Sequence, residues 1–265
     1  MWMPAIVVLV KHVPDTWSTK SLSADQTLDR AATDSVIDEV NEYAVEAALR
    51  LKEADDSLKV VAVTMGPDGA DEALRKALAM GADDALRLTD DALAGSDAIG
   101  TAWALTNLLN TIDDIRLIVT GSQSSDGQTA LLPGLLAEYR QIPALTEVTR
   151  VALDGETVNA TRVDARGTWE LTAPTPAIVA VTEKADKPRY PNFKKLKAAK
   201  AFEIPVRDIA SIGVDPAHVG LANAATRVTA SEVRPPRTAG DVVEGSDPQA
   251  AATAIADFLA SKNLI

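Results

Sequence analysis

Two stretches of this chain combine residue types that could do chemistry. The first is GSQSSDGQT at 121–129, composed of Gly121, Ser122, Gln123, Ser124, Ser125, Asp126, Gly127, Gln128 and Thr129. It leads into a helix expected over Thr129–Tyr139. Backbone N–H groups in such a loop, aided by the helix dipole, can cradle a phosphate. Clusters of Gly, Ser and Asp also make ordinary loops, so the pattern alone leaves both readings open. The second stretch is TEKADKPRYPNFKKLKAAK at 182–200. Lys184, Lys187, Arg189, Lys194, Lys195, Lys197 and Lys200 there face only Glu183 and Asp186, in a chain of net charge −12. Pro188 and Pro191 prevent a continuous helix through its first half. Lys194–Lys200 reads as a short helix, with Leu196 the one large aliphatic residue in the cationic run. One apolar residue bedded in cations suits docking onto an acidic partner. A solvated basic surface is the other reading.

Other chemical signatures are missing. No GxGxxG follows the first apolar run, no P-loop pattern occurs, and no nucleophile elbow is present. The carboxylates fall mostly on helix surfaces, so no catalytic residue is expected. Cysteine is absent, which excludes disulfides and thiolate metal sites. With only His12 and His218, a multi-histidine metal centre is not expected either. The acidic balance argues against nucleic-acid binding. No apolar run is long enough to span a membrane. The opening MWMPAIVVLVKHV lacks a basic n-region and a cleavage site, so it reads as a buried strand rather than a signal peptide. A cytoplasmic protein without membrane insertion is the expectation.

The elements that position these loops are legible from periodicity. At 265 residues the chain can bury a sizeable core, built mainly from aliphatic residues because aromatics are only 4%. Ala5–Val10 is a strand covered on both faces. Asn41–Glu53 is an amphipathic helix with Asn41 suited to its N-cap. Lys59–Thr64 is a strand, Met65–Gly66–Pro67 a break, and Ala70–Met80 a helix stopped at Gly81. Ala85–Leu88, a helix over Asp97–Asn110, and Arg116–Thr120 continue the alternation. This spacing predicts an α/β fold with an open, mostly parallel, doubly wound sheet. Asp154–Gly155 between two alternating runs predicts a hairpin, and Thr168–Leu171 adds a small antiparallel extension. Ala177–Thr182 returns to a buried strand. Domain organisation is expected as an α/β domain over 1–205, including the basic loop, and an extended arm over 206–265. The arm ends in a helix over Asp247–Ser261 with Pro248 at its first position. That helix could dock on its own domain or on another chain.

In an open parallel sheet, ligands bind beyond the C-terminal ends of strands. The approaches here are Lys11, His12 and Val13 after the first strand, Met65–Gly66–Pro67, the 121–129 loop, and Asn41.

Several motifs together resemble the electron transfer flavoprotein beta subunit. VKHV at 10–13 is similar to the VKRV after that family's first strand. NEYAVEAALRLKE at 41–53 is similar to its N-x-x-x-x-x-AVEEAxRLKE helix, and VVAVTMGPDGADEALRKALAMGADDALRL to its second strand–helix block. GSQSSDGQTALLPGLLAE resembles its nucleotide loop, KPRYPNFKKLKAAK its recognition loop, and PPRTAG at 235–240 its terminal RTAG element. The likeness runs in order over nearly the whole chain.

The resemblance implies a non-catalytic electron carrier. An alpha subunit would hold most of an FAD, and the beta subunit would bury AMP in a pocket of Leu9, Lys11, Asn41, Met65 and Gly121–Thr129. It implies single-electron traffic from flavin dehydrogenases such as those of fatty acid β-oxidation to a membrane quinone reductase. Trp17, or less directly Thr16, is the candidate for contact with the flavin; an exposed or interface tryptophan is the alternative. Lys187, Arg189, Tyr190, Lys194, Lys195, Leu196 and Lys197 would form the docking surface, with Leu196 as apolar anchor. One departure affects the nucleotide. The AMP class carries a longer acidic stretch, D-D-D-x-N-Q-T, where this chain has Asp126–Gly127–Gln128–Thr129. The shorter loop partly resembles the electron-bifurcating class, D-G-D-T-A, in which a second FAD replaces AMP and NADH is the donor. Gln128 stands where that class has its second acidic residue.

Overall fold

The computed structural model describes residues 3–265 except 239, 241 and 244, so one position of the PPRTAG segment lies outside the described residues. The chain divides into two compact units, Met1–Thr229 and Ala230–Ile265.

The first unit opens with β1 (Ala5–Leu9), in which every side chain is buried. β2 (His12–Pro14) pairs antiparallel with β3 (Ser35–Ile37), a small sheet that periodicity did not reveal. Then α1 (Glu39–Ala54), β4 (Lys59–Met65), α2 (Asp71–Met80), β5 (Asp84–Leu88), α3 (Ala98–Leu109), β6 (Ile115–Gly121) and α4 (Leu132–Arg140) alternate as expected. β7 (Ala144–Asp154), β8 (Thr157–Asp164) and β9 (Gly167–Pro174) form an antiparallel meander, and β10 (Ala177–Val181) returns to the centre. α5 (Phe193–Ala201) and β11 (Val206–Arg207) complete the elements of the main sheet and its cover. The second unit contains α6 (Pro248–Ser261), whose N-cap Asp247 accepts hydrogen bonds from the N–H groups of Gln249 and Ala250. Ile255 and Phe258 on this helix are exposed.

Nine strands form one sheet in the order β11-β5-β4-β1-β6-β10-β7-β8-β9. Pairings from β11 through to β7 are parallel, while β7, β8 and β9 are antiparallel. This is the mixed α/β sheet that the alternation predicts. Side chains alternate between two cores. Ile6, Val8, Val60 and Ala62 pack under α1 and α2, and Ala5, Val7, Val61 and Val63 pack against α3 and α4. The chain runs from β1 outward to β4 and β5, then returns to β6 on the other side of β1. The switch point therefore lies beside β1, where ligands of such sheets bind.

Two boundaries differ from expectation. α1 begins at Glu39, with Asp38 in extended conformation at its N-cap, so Asn41 sits in the first turn rather than capping it. Glu39 and Glu42 at the positive end of the helix dipole favour this earlier start. α4 begins at Leu132, not Thr129, because Gln128 (φ 49°) and Ala130 (φ 54°) are left-handed and cannot belong to a helix. Pro133 in the first turn suits the later start.

The end of β6 meets α1 closely at Gly121. A Cβ there would lie 2.5 Å from Val40 Cγ1 and 2.9 Å from Asn41 Nδ2. Gly121→Ala is therefore expected to destabilise the protein by about 1–3 kcal/mol through overpacking. A lower denaturant midpoint with an unchanged slope would show it; an unchanged midpoint would mean that α1 yields freely at this contact.

Candidate functional site

The expected strand-end loops converge on Lys11 and His12. The Lys11 N–H donates to Asn41 Oδ1 at 2.8 Å, which ties the first loop to α1. Lys11 Nζ reaches across the strand ends to Asp126 Oδ1 at 2.7 Å and donates to Ser124 Oγ at 3.3 Å. His12 lies against the loop after β4, where a Cβ on Gly69 would be 3.7 Å from His12 Cε1. Leu9 and Met65, at the ends of β1 and β4, pack into the same core cluster.

The 121–129 loop is held from within and from below. The N–H of Gly127 donates to Ser124 Oγ and that of Gln128 to Ser124 O. The Ser125 N–H donates to Asp38 Oδ2 at 2.8 Å, and the Ser122 N–H to Val181 O. Asp126 receives a second cation, Arg30, at 2.8 Å. Burial opposes ionisation of Asp126, but Lys11, Ser124 and Arg30 outweigh it and hold its carboxyl at about 2. Left-handed Ala130 precedes right-handed Leu131 at the entry to α4, the kind of alternation that turns successive N–H groups into an anion-binding concavity. Gln123, Gln128 and Thr129 are exposed there. Two buried polar atoms at this strand edge, His12 Nε2 and Thr64 Oγ1, have no hydrogen-bond partner among the described residues. Native interiors rarely leave such groups unpaired. The loop amides, the cations and these atoms suit the phosphate and polar edges of a nucleotide.

Three residues at or near this network escaped the sequence patterns. Asp38 is 2% exposed and anchors the loop. Burial pushes its carboxyl up from the usual range, only partly offset by the Ser125 N–H. Its signal was present, because the N-x-x-x-x-x-AVE pattern places its leading residue six before Ala44, which is position 38. Arg30 gives no local signal, since it lies in an irregular loop 96 residues from its partner. Glu46 is 2% exposed on a helix face that reads as solvated. Trp17 is not drawn into this cluster; it is 95% exposed on the long loop between β2 and β3.

The basic segment is also more structured than its composition suggests. Arg189 does not point into solvent. Its Nε donates to Glu46 Oε2 at 2.7 Å and its NH2 to Glu46 Oε1 at 3.0 Å, and the guanidinium also pairs with Glu53. Burial opposes ionisation of Glu46, but the bonds from Arg189 and Arg50 hold its carboxyl below the usual range. Lys195 Nζ donates to Met80 O at 3.3 Å. Lys187, Lys194 and Lys197 are exposed. So are Tyr190 (88%), Phe193 (83%) and, less so, Leu196 (44%). Among the described residues, no cluster of His, Asp or Glu could hold a metal ion, and no helix is long and apolar enough to cross a membrane.

Fold and site define an open α/β protein with a polar loop network at its switch point. The family described as Electron transfer flavoprotein domain matches residues 25–212. The chain is 44% identical to the electron transfer flavoprotein subunit beta of Mycobacterium tuberculosis (strain ATCC 25618 / H37Rv), covering 99% of this chain and 100% of that one. It is 33% identical to the subunit of the same name from Megasphaera elsdenii, over 98% and 99% of the two chains. It is 28% identical to the caffeyl-CoA reductase-Etf complex subunit CarD of Acetobacterium woodii, again over 98% and 99%. The chain belongs to the electron transfer flavoprotein family, on the beta-subunit side.

The raised carboxyl of Asp38 gives a signed expectation. Its ionisation costs the folded state stability as pH rises from about 4 through its elevated folded value. Asp38→Asn keeps an acceptor for Ser125 and removes that charge. The variant is expected to be at least as stable as the parent at pH 7, with any advantage vanishing below pH ~4. Denaturant titrations at the two pH values measure this; a large loss at pH 7 would mean that the charge itself holds the loop.

Proposed function

We propose that this chain is the beta subunit of a heterodimeric electron carrier. An alpha subunit holds most of an FAD, and this chain binds AMP at the switch point. The chemistry that FAD supplies when bound is one-electron transfer. The observation that supports the nucleotide reading is the strand-end network itself: the exposed Gln128–Thr129 end of the loop, the cations Lys11 and Arg30 on its Asp126, and the buried, unpartnered His12 Nε2 and Thr64 Oγ1 at the same edge. Thr129, Gln128 and the loop amides hold the phosphate, and Lys11 and Arg30 neutralise it. Asn41, with Oδ1 engaged by Lys11, keeps its amide nitrogen for the base. Nothing at this edge is arranged as a hydrolytic base, so the AMP is structural.

The docking segment meets flavin dehydrogenases, such as acyl-CoA dehydrogenases, and a membrane quinone reductase takes the electrons onward. Exposure favours Phe193 over Leu196 as the apolar anchor, with Tyr190 beside it and Lys187, Lys194 and Lys197 steering the encounter. A single apolar anchor among exposed cations fits brief, promiscuous contacts. A second reading is a bifurcating subunit with a second FAD in place of AMP and NADH as donor. The short Asp126–Thr129 loop and the likeness to a caffeyl-CoA reductase-Etf complex subunit favour it.

Nucleotide content separates the two. The heterodimer is denatured and its released nucleotides are quantified by chromatography. One FAD and one AMP per heterodimer is the expected result; two FADs without AMP would replace the carrier reading with the bifurcating one. For docking, Phe193→Ala should raise the KM for a reduced acyl-CoA dehydrogenase roughly ten- to thirty-fold, with flavin content unchanged. An unchanged KM would contradict the assignment of this surface.

A further inference from the structure

The docking segment is fastened at both ends by arginines that face inward. At its entry, Arg189 bonds Glu46 through Nε and NH2 and also donates its backbone N–H to Glu46 Oε2 at 3.2 Å. Glu53, about two turns further along α1, takes the other edge of the same guanidinium. Arg50 completes the enclosure of Glu46 at 2.9 Å and reaches Asp186 at 3.4 Å. At its exit, Arg75 of α2 points NH1 at the last carbonyls of α5: Ala199 O at 2.7 Å, Lys200 O at 3.2 Å and Phe202 O at 3.2 Å. Those carbonyls have no partner within their own helix, and a cation is favoured at this negative end. The exchange is reciprocal, because Lys195 of α5 donates to the last carbonyl of α2. Ala199 is buried between the two helices. Asn192 caps α5 through a bond from the Lys195 N–H at 2.9 Å.

This is far more fixation than a solvated basic loop needs. A nine-residue helix is too short to be stable on its own in water. Ala199 supplies its one buried apolar contact, while Phe193 and Leu196 of the same helix stay exposed. We infer that Arg75 and the Arg189–Glu46–Glu53 cluster are positioning residues, which hold residues 187–202 in their docking conformation before a partner arrives. The inference rests on the reading of this segment as a docking surface. A segment already ordered loses less conformational freedom on binding, and that saving appears as affinity. The clamp bonds all run to groups of this same chain, so their expected effect is on encounter and not on electron transfer within the bound complex.

The test uses the assembled heterodimer and a purified acyl-CoA dehydrogenase reduced by its acyl-CoA substrate. Arg75→Gln and Glu53→Gln are made, with Arg75→Lys as the conservative variant; both sites are far from the nucleotide loop in sequence. Flavin content and melting temperature establish that each variant is assembled. The expected result is faster amide hydrogen exchange confined to 187–202, a three- to tenfold rise in KM with kcat unchanged, and partial recovery in Arg75→Lys. Unchanged exchange, or faster exchange with an unchanged KM, overturns the inference. So does a fall in kcat with KM unchanged. Phe193→Ala serves as the control. If it raises KM while the clamp variants do not, the clamp inference alone fails. If it leaves KM unchanged, the docking reading fails, and the exchange data still show whether the arginines order the segment.

Discussion

Two buried carboxylates on one helix govern how this molecule is put together. Asp38 at the start of α1 and Glu46 in its middle are each 2% exposed. A carboxylate taken out of water must find charged or N–H partners, or the fold loses several kcal/mol. Asp38 finds the Ser125 N–H in the strand-end loop. Glu46 finds Arg189 and Arg50. α1 thus reaches in two directions, holding the candidate nucleotide loop at one end and the entry to the basic segment along its flank. The central sheet supplies the rigid base against which both are held.

The strand-end network follows from the same demand for partners. Parallel strands end with their chains rising into loops on one edge, and a switch in direction opens a crevice there. Lys11 leaves β1 at that crevice and finds Asp126 and Asn41 across it. Asp126 stays ionised despite burial because two cations hold it. Two cations thus stand beside the exposed Gln128–Thr129 end of the loop, in a protein whose overall charge is −12. The local field, not the net charge, decides what can bind.

Much of the fold was legible in the sequence because parallel strands and amphipathic helices leave strong periodic signals. β1, β4, β6 and β10 are continuous aliphatic runs, and Gly81 and Asp97 mark helix ends as their types predict. The hairpin at Gly155 follows from its turn residues. Failures cluster where tertiary contacts decide. The start of α4 moved because left-handed Gln128 and Ala130 shape a loop, which propensity does not encode. α1 starts at Glu39 with Asp38 at its N-cap position, and the Asp38 side chain serves a residue 87 positions away instead of the helix. Arg189 was counted among free cations, and only the fold brings Glu46 and Glu53 beneath it. Phe193 and Tyr190 are more exposed than Leu196, and exposure is not a property of one residue type. The candidate loops were found from sequence; the charges that fasten them were not.

The central claim is that the strand-end loop and the start of α1 together hold a nucleotide. The most direct measurement is amide hydrogen exchange on the heterodimer, first stripped of AMP and then refilled with it. The account predicts slower exchange within residues 121–131 and across the first turn of α1, with β7, β8 and β9 unaffected. Protection elsewhere, with 121–131 unchanged, would contradict it.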